Sequence, residues 1–306
     1  MDTDHVNEMK IGVIFPSTQM ETDAGAIRAY AEGVAALGYS HILAYDHVLG
    51  ADRTMHAKWD HLYDVDSRFR EPMVLFGYLA AVTDLELVTG VLIAPQRQTV
   101  LLAKQAAEVD LLCQGNFRLG LGLGWNHLEY EALGQRFNVR GARLEAQIQL
   151  MRTLWTERSV SFRGEFDQVN GAGISPRPIQ RPIPIWVGAQ SPVGLKRAGR
   201  LACGWFPLVP PGADLDTAKA VVSESALSVG RDPASIGMEG RVFWTGDAER
   251  LVSEVSAWKE TGATHVAIRT ADAAHLRTDG FRPTSVFHHL LALKHAADAL
   301  RLAGGD

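Results

Sequence analysis

Two adjacent polar residues, Asp46 and His47, follow a short apolar segment in the stretch HILAYDHVLG. An imidazole titrates near neutral pH and can give or take a proton, and a neighbouring carboxylate can orient it or a ligand. At the end of a buried strand the pair is therefore a candidate for proton handling. The same two residues are also typical of a polar cap beside a surface imidazole, and alone they do not decide between the two interpretations.

A second candidate site lies in WVGAQSPVGLKRAG, residues 186–199, which predicts a strand, a glycine turn and a helix. Backbone N–H groups from Gly188 through Ala189 and Gln190 to Ser191 would point outward at the helix N-terminus. Such an arrangement favours an anion such as phosphate, and Ser191 could cap the helix or contact that phosphate. An ordinary capped helix has the same pattern.

Glycines in two apolar segments suggest that a backbone approaches a neighbour or a ligand closely. In FRLGLGLGWN, Gly120, Gly122 and Gly124 alternate, so they share one face of a strand. Their G-x-G-x-G spacing differs from the G-x-G-x-x-G of a dinucleotide-binding turn. Gly90 interrupts the β-branched run VTGVLI, which predicts a bulge or a close backbone–ligand approach.

Strand and helix patterns alternate along the whole chain and place these residues in one repeating architecture. Strands are predicted at 11–15, 41–45, 85–93, 117–123, 183–188, 203–206, 236–245 and 264–270. Helices are predicted at 24–38, 71–83, 99–115, 142–155, 193–202, near 214–229, at 249–262 and near 284–302. Such β-then-α units predict an α/β fold, a (β/α)8 TIM barrel, and a doubly wound open sheet is the alternative.

Insertions are expected in the βα loops, together with a small excursion before strand five. Loops 46–70, 124–141 and 270–282 would lie at the C-terminal rim, where barrel sites are built. The segment 156–182 predicts a hairpin turning at Gly164, followed by a proline-rich tail. We expect a single domain spanning 1–306, with 46–70 and 156–182 as insertion segments.

Segment 46–70 also holds several side chains that can ligate a metal or stack on a ligand. It could form a metal cluster, but the loop offers no framework to fix the geometry, so we expect a mobile lid and no metal. The residues concerned are His56, Trp59, Asp60, His61 and Asp64.

Composition narrows the range of partners. The 306 residues are 46% hydrophobic with a net charge of −5, which argues against nucleic acid as a partner. Since no apolar run approaches a membrane span and the start is polar and acidic, we expect neither a membrane partner nor a signal peptide. Cys113 and Cys203 lie in apolar elements far apart, which favours a reduced, cytoplasmic protein.

Several segments together resemble the bacterial luciferase-like monooxygenase superfamily, most closely the branch that uses the deazaflavin coenzyme F420. The resemblance covers about residues 9–300 and implies a TIM barrel with an insertion region. It rests on the order and spacing of IGVIFP, YDHVL, TGVLIAPQRQTVLLAKQAAEVD, FRLGLGLGWNHLEYEALG, RGARLEAQIQLMRTLWTE, PRPIQRPIPIWVGAQS and RLACGWFPL.

The resemblance implies a role for each candidate residue in holding coenzyme F420. The pair Asp46–His47 would lie beside the ring, with His47 as the catalytic residue near the hydride-transfer carbon. The resemblance also implies a bulge behind the ring at Thr89, Gly90 and Val91, with a cis peptide bond between residues 90 and 91. Two further groups of contacts are implied. The end of strand four would line the coenzyme with Gly124, Trp125 and Asn126, and the phosphate side of the coenzyme would contact Gly188, Ala189, Gln190 and Ser191.

The sequence departs from the related sugar-phosphate dehydrogenases, which carry a catalytic Glu just after the strand-four glycine. Trp125 stands there, with Glu129 one helical turn on, and CGWFPLVPPGAD lacks the Lys or Arg that a sugar phosphate would need. We therefore expect hydride transfer between F420 and an apolar or aromatic small-molecule substrate. An FMN-dependent monooxygenase and a non-catalytic flavin- or deazaflavin-binding barrel remain alternatives. Apolar helices two and three suggest a homodimer by analogy of fold.

Overall fold

Parallel strands form a closed barrel in this protein. The structure is a computed structural model that describes residues 9–271 and 283–302. The strand Glu86–Thr89 pairs with His41–Ala44 on one side and with Phe117–Gly122 on the other, and Lys10–Ile14 pairs with His265–Arg269, so the sheet has no open edge. The prediction of a (β/α)8 TIM barrel is confirmed, and the open-sheet alternative is wrong. The barrel strands are β1 (Lys10–Ile14), β2 (His41–Ala44), β3 (Glu86–Thr89), β4 (Leu92–Ile93), β5 (Phe117–Gly122), β8 (Ile185–Ala189), β9 (Gly204–Pro207), β10 (Gly237–Phe243) and β11 (His265–Arg269).

Helices alternate with the strands and cover the outside of the barrel, and all the predicted helices are present. In the described parts of the chain, none of them is both long and apolar enough to cross a membrane. They are α1 (Ala24–Ala36), α2 (Pro72–Leu79), α3 (Thr99–Leu112), α4 (His127–Ala132), α5 (Arg140–Thr156), α6 (Pro192–Leu201), α7 (Ala213–Leu227), α8 (Ala248–Glu260) and α9 (Val286–Leu300).

Three details refine the sequence-based picture. The short helix α4 lies inside the loop predicted at 124–141, and it begins because the Asn126 side chain accepts the backbone N–H groups of Leu128 and Glu129. The predicted hairpin around Gly164 is confirmed as antiparallel β6 (Val160–Arg163) and β7 (Gln168–Ala172). Most of the predicted loop 270–282, from residue 272 onward, lies outside the described residues.

The strand predicted at 85–93 is broken at its centre, so its prediction as one continuous strand is wrong. Strand β3 ends at Thr89, β4 begins at Leu92, and the peptide bond between Gly90 and Val91 is cis, as expected. A Cβ atom on Gly90 would lie 2.4 Å from Leu43 Cδ2, so the chain can pass here only without a side chain.

The glycine face of β5 accommodates this break. A Cβ on Gly120 would lie 1.8 Å from the Thr89 carbonyl oxygen, and one on Gly122 would lie 2.3 Å from Val91 Cγ2. On the other side, a Cβ on Gly188 would lie 3.1 Å from Val91 Cγ1. The alternating glycines are therefore required because the broken strand packs its backbone and the Val91 side chain against them.

The lumen is filled below the C-terminal rim. At its lower end, buried Glu239 lies 2.9 Å from His41 Nε2 and 2.8 Å from Arg118 Nη1. Burial opposes ionisation of Glu239, but the charges of Arg118 and His41 prevail and hold its pKa well below the usual range. Above this network lies an apolar layer of Ile14, Leu43, Val88, Trp186, Phe206 and Ala267. These layers fill the lumen formed by the described strands, so a ligand bound at the mouth of the barrel would lie at the C-terminal rim.

Candidate active site

His47 lies at the C-terminal rim, directly after β2, inside an aromatic enclosure. Its ring centroid is 4.6 Å from that of Phe69 and 5.4 Å from those of Tyr63 and Trp125. These side chains line a cavity of about 200 Å³ that also reaches Asn126. An imidazole in such a cavity can act on a small ligand while the aromatic rings exclude water.

Glu129, on α4, fixes the His47 ring. Its Oε1 lies 3.1 Å from His47 Nδ1 and also accepts the backbone N–H groups of Val48 and Leu49, while Oε2 accepts from Gln96 Nε2 at 2.9 Å. Burial raises the pKa of Glu129, but the hydrogen bonds from His47 and Gln96 outweigh it, so the net pKa is lowered.

The ionised Glu129 determines which nitrogen of His47 carries the proton. A carboxylate only accepts hydrogen bonds, so Nδ1 of the neutral imidazole must carry the proton it donates. The lone pair of Nε2 is then free, and this nitrogen has no hydrogen-bond partner in the described parts of the chain. The pair therefore has the geometry of a general base with an orienting carboxylate.

Asp46 lies beside His47 at the rim, where its carboxylate is engaged within the protein. Its side chain is buried, and both oxygens are engaged: Oδ2 with Ile93 N at 2.8 Å and Arg97 Nη1 at 2.7 Å, and Oδ1 with Arg97 Nη2 at 2.9 Å. These bonds tie the end of β2 to β4 and so position His47, and a contact of Asp46 with the coenzyme stays a prediction.

The insertion segment 46–70 folds over the rim without regular secondary structure. Its Trp59 and His61 rings lie 5.5 and 4.1 Å from the ring of Trp125, and Arg53 Nε binds Asp64 Oδ2 at 2.6 Å. Across the described residues, no group of histidine, cysteine and acidic side chains is arranged to hold a metal ion. Whether the segment moves as a lid stays a prediction.

The other predicted site residues come together at the same rim, but several have buried, structural side chains. Thr89 Oγ1 donates to the Gly120 carbonyl at 2.7 Å, and Asn126 both caps α4 and donates to the Leu49 carbonyl at 3.0 Å. Gly124 has φ +65° and packs against Ile93. Any contact of these residues with a coenzyme would therefore be made mainly by backbone.

The predicted anion site has the expected architecture. Strand β8 ends at Ala189, the Ser191 side chain accepts from Gly194 N at 3.2 Å as the N-cap of α6, and Pro192 occupies the first turn. Ala189 is buried, whereas Gln190 and Ser191 are exposed. The helix start is thus open to an anion, and phosphate binding there stays a prediction.

Glu129 is the functional residue that sequence reasoning missed. Its link to His47 spans 82 positions and cannot be read from a local pattern. A local signal existed nevertheless: Asn126 followed three residues later by Glu129 is a helix-start signature, which would have placed the carboxylate in the first turn of a helix at the rim.

Comparison with known proteins places the chain in a family. A family model for luciferase-like monooxygenases matches residues 9–300. The chain belongs to the luciferase-like monooxygenase family. This family member is 30% identical over 215 residues to an uncharacterized protein of Mycobacterium tuberculosis, a match covering 68% of this chain and 73% of that protein. It is also 33% identical over 189 residues to F420-dependent glucose-6-phosphate dehydrogenase 2 of Rhodococcus jostii, covering 59% of this chain and 56% of the relative.

A solved structure extends the likeness to the whole fold of this luciferase-like protein. An F420-dependent secondary alcohol dehydrogenase in complex with an F420-acetone adduct matches it with a TM-score of 0.75. The match covers 96% of this chain and 99% of the other at 16% sequence identity, and at that identity it establishes the shared barrel fold.

Proposed function

We propose that this luciferase-like protein is an F420-dependent oxidoreductase that acts on a small apolar or aromatic substrate. The observation that carries the proposal is the His47–Glu129 pair, which lies at the rim beside the broken strand β3–β4. The sequence relationship to the F420-dependent glucose-6-phosphate dehydrogenase of Rhodococcus jostii supports the choice of coenzyme.

The residues at the rim suit a planar ligand with hydrogen-bonding edges. Buried polar atoms remain there without partners among the described residues, namely Ser17 Oγ, Tyr45 Oη and Arg241 Nε. The backbone of Gly90 and Val91 would support one face of the ring. The remaining contacts would come from the backbone at Gly124, Trp125 and Asn126, and from 188–191 toward the phosphate. When bound, the deazaflavin supplies the carbon that accepts or gives up the hydride.

The proton is assigned to His47. Because Glu129 holds the proton on Nδ1, Nε2 can accept the proton that leaves a substrate hydroxyl, or return it in the reverse direction. Phe69, Tyr63 and Trp125 cover the imidazole and exclude water, which strengthens the hydrogen bond to the reacting group. The same aromatic surroundings support an apolar or aromatic substrate.

The proposal can be tested by anaerobic turnover. The protein is mixed with oxidised F420 and a panel of aliphatic and aromatic alcohols, or with reduced F420 and the matching carbonyl compounds, and the coenzyme absorbance is followed. We expect turnover with apolar or aromatic members of the panel. Binding of F420 without turnover on any donor or acceptor would instead favour a barrel that only binds the coenzyme.

We also propose that the protein forms a homodimer through α2 and α3. Both helices expose apolar side chains, including Val74, Val100 and Leu101. Such a patch on a water-facing surface is typical of an association surface. Sedimentation analysis should give twice the chain mass, and Val74→Glu together with Leu101→Glu should convert it to the chain mass. A wild-type protein that sediments as a monomer at micromolar concentration would refute the dimer.

A further inference from the structure

Arg241 projects into the barrel mouth from β10. It is two residues beyond Glu239, which lies inside the lumen, so the two side chains share the inner face of the strand. Its Nη2 donates to the Gly90 carbonyl at 3.3 Å, which places the guanidinium directly beside the break between β3 and β4. Arg241 therefore lies at the part of the rim where the reacting groups are proposed to meet.

The hydrogen-bonding capacity of Arg241 is mostly unused. A guanidinium carries five N–H donors, but the Gly90 carbonyl is the one acceptor found for Arg241 among the residues that the structure describes. Its Nε is buried with no partner, and no carboxylate of the described chain pairs with it. By contrast Arg118, deeper in the lumen, pairs with Glu86 and Glu239. The half-buried guanidinium of Arg241 therefore has N–H donors available to an acceptor on a ligand.

A second guanidinium, that of Arg269 on β11, shares an aromatic neighbour with Arg241. The Arg241 and Arg269 guanidinium carbons lie 5.5 and 5.4 Å from the Tyr45 ring centroid, so one aromatic ring contacts both cations. Arg269 Nη2 also donates to the Tyr63 hydroxyl at 2.9 Å. Since Tyr63 packs against His47, the two arginines and the candidate base belong to one continuous rim.

The cavity in front of Arg241 combines an apolar wall with a few charged side chains. It has a volume of about 520 Å³, and Glu254 is the single carboxylate among its described lining residues. That carboxylate is already paired with Arg250 Nε at 2.7 Å. The apolar wall comes from the segment after β9 and from two aromatic side chains, namely Pro207, Leu208, Val209, Pro210, Pro211, Phe243 and Trp258.

We propose that Arg241 is a substrate-binding residue that takes a carboxylate, so that the substrate is an apolar or aromatic molecule carrying one acidic group. The proposal rests on the oxidoreductase function proposed above and narrows its substrate class. The planar fork of a guanidinium matches a carboxylate through paired N–H···O bonds, and the apolar wall accommodates the remainder of the molecule. The segment after β9 lacks a cation, as the sequence showed, but β10 supplies Arg241.

The test compares benzoate with benzamide, which have the same shape but differ in charge. Dissociation constants are measured by calorimetry with and without bound F420, for the wild type, Arg241→Gln and the control Arg250→Gln, whose side chain lies in the same cavity but is paired with Glu254. A charge-assisted hydrogen bond contributes roughly 10- to 100-fold in affinity. We expect benzoate to bind the wild type at least about tenfold more tightly than benzamide, and Arg241→Gln to abolish this difference while Arg250→Gln retains it.

Three results would overturn the proposal: equal affinities for the two ligands, no binding of either, or a benzoate preference that survives in Arg241→Gln. A benzoate preference that survives in Arg241→Gln would overturn the proposal even if the variant bound F420 more weakly. Arg241 would in that case contact the coenzyme and not the substrate. If Arg241→Gln does not fold, the titrations are repeated with the wild type at higher salt concentration. Salt screens charges, so the proposal requires that the affinity for benzoate falls while the affinity for benzamide stays constant. If the wild type does not bind F420, the proposed function is refuted. The role of Arg241 is still tested in that case, because the benzoate and benzamide titrations are also carried out without F420.

Discussion

Replacement of Glu129 by glutamine isolates the contribution of one negative charge to the proposed base. In the wild type, Oε1 accepts from His47 Nδ1 and from the backbone N–H groups of Val48 and Leu49, and Oε2 accepts from Gln96 Nε2. A glutamine at 129 can keep the first three bonds through its carbonyl oxygen. Its amide NH2 would then face Gln96, whose Oε1 is buried without a partner and can accept after the Gln96 amide rotates. The variant should therefore fold while losing the charge.

The expected loss follows from the strength of that interaction. A hydrogen bond to a charged group contributes about 1.5–3 kcal/mol, compared with about 1 kcal/mol between neutral groups. If the imidazole gains positive charge in the transition state, loss of this difference of about 0.5–2 kcal/mol should lower kcat by roughly 2- to 30-fold, at 1.36 kcal/mol for each factor of ten. The affinity for F420 and the free energy of unfolding should change little.

Two measurements test this reasoning. Single-turnover absorbance of F420 gives the rate of the chemical step, and Glu131→Gln, an exposed change on the same helix, is the matched control. Nitrogen NMR of the imidazole should show Nδ1 protonated in the neutral wild-type ring and a mixture of tautomers in Glu129→Gln. A turnover rate within a factor of two of the wild type, with the tautomer unchanged, would refute the assignment of Glu129 as the residue that orients His47.

Three further predictions concern the residues around this pair. His47→Ala should lower turnover by roughly 10²–10⁴-fold with little change in F420 affinity, and near-wild-type turnover would return His47 to a structural role. Asp46→Asn should lower the free energy of unfolding, measured by urea denaturation, by about 3 kcal/mol. This is the lower end of the range for buried ion pairs, because Arg97 keeps its contact with Glu71. A decrease of less than about 1 kcal/mol would contradict the buried ion pair. Gly122→Ala should lower the free energy of unfolding by about 1–3 kcal/mol and weaken F420 binding, because the new Cβ would clash with Val91. The control Gly77→Ala should do neither, because no atom lies near the added Cβ. Equal effects of the two substitutions would contradict this packing argument.

The architecture was accessible from sequence because it depends on local patterns. Apolar runs followed by amphipathic segments predicted the barrel, and Gly164 between two extended segments predicted the hairpin β6–β7. The glycine within VTGVLI predicted an irregularity, a bulge or a close backbone approach, and the structure interrupts the strand there, between Thr89 and Leu92. The exact course of that break was not predicted, because it is set by packing against β5 and Leu43.

The site was accessible only in part, because its decisive contacts join distant segments. His47 could be proposed from its place after a strand, but its partner Glu129 comes from a helix 82 positions later. No local pattern indicated that Arg97 would bind both carboxylate oxygens of Asp46. In the same way, Arg241 has no local signature, and it becomes a candidate only when the closed barrel places it beside the Gly90 carbonyl.

The most direct test of the central claim is a competitive titration of the purified protein with F420 and FMN, followed by the absorbance and mass of whatever stays bound. The rim geometry and the family relationship predict that F420 binds with a dissociation constant well below that for FMN. They also predict that the F420-loaded protein turns over without consuming oxygen. Tighter binding of FMN, together with oxygen consumption by the FMN-loaded protein, would contradict the account and identify the protein as an FMN-dependent monooxygenase.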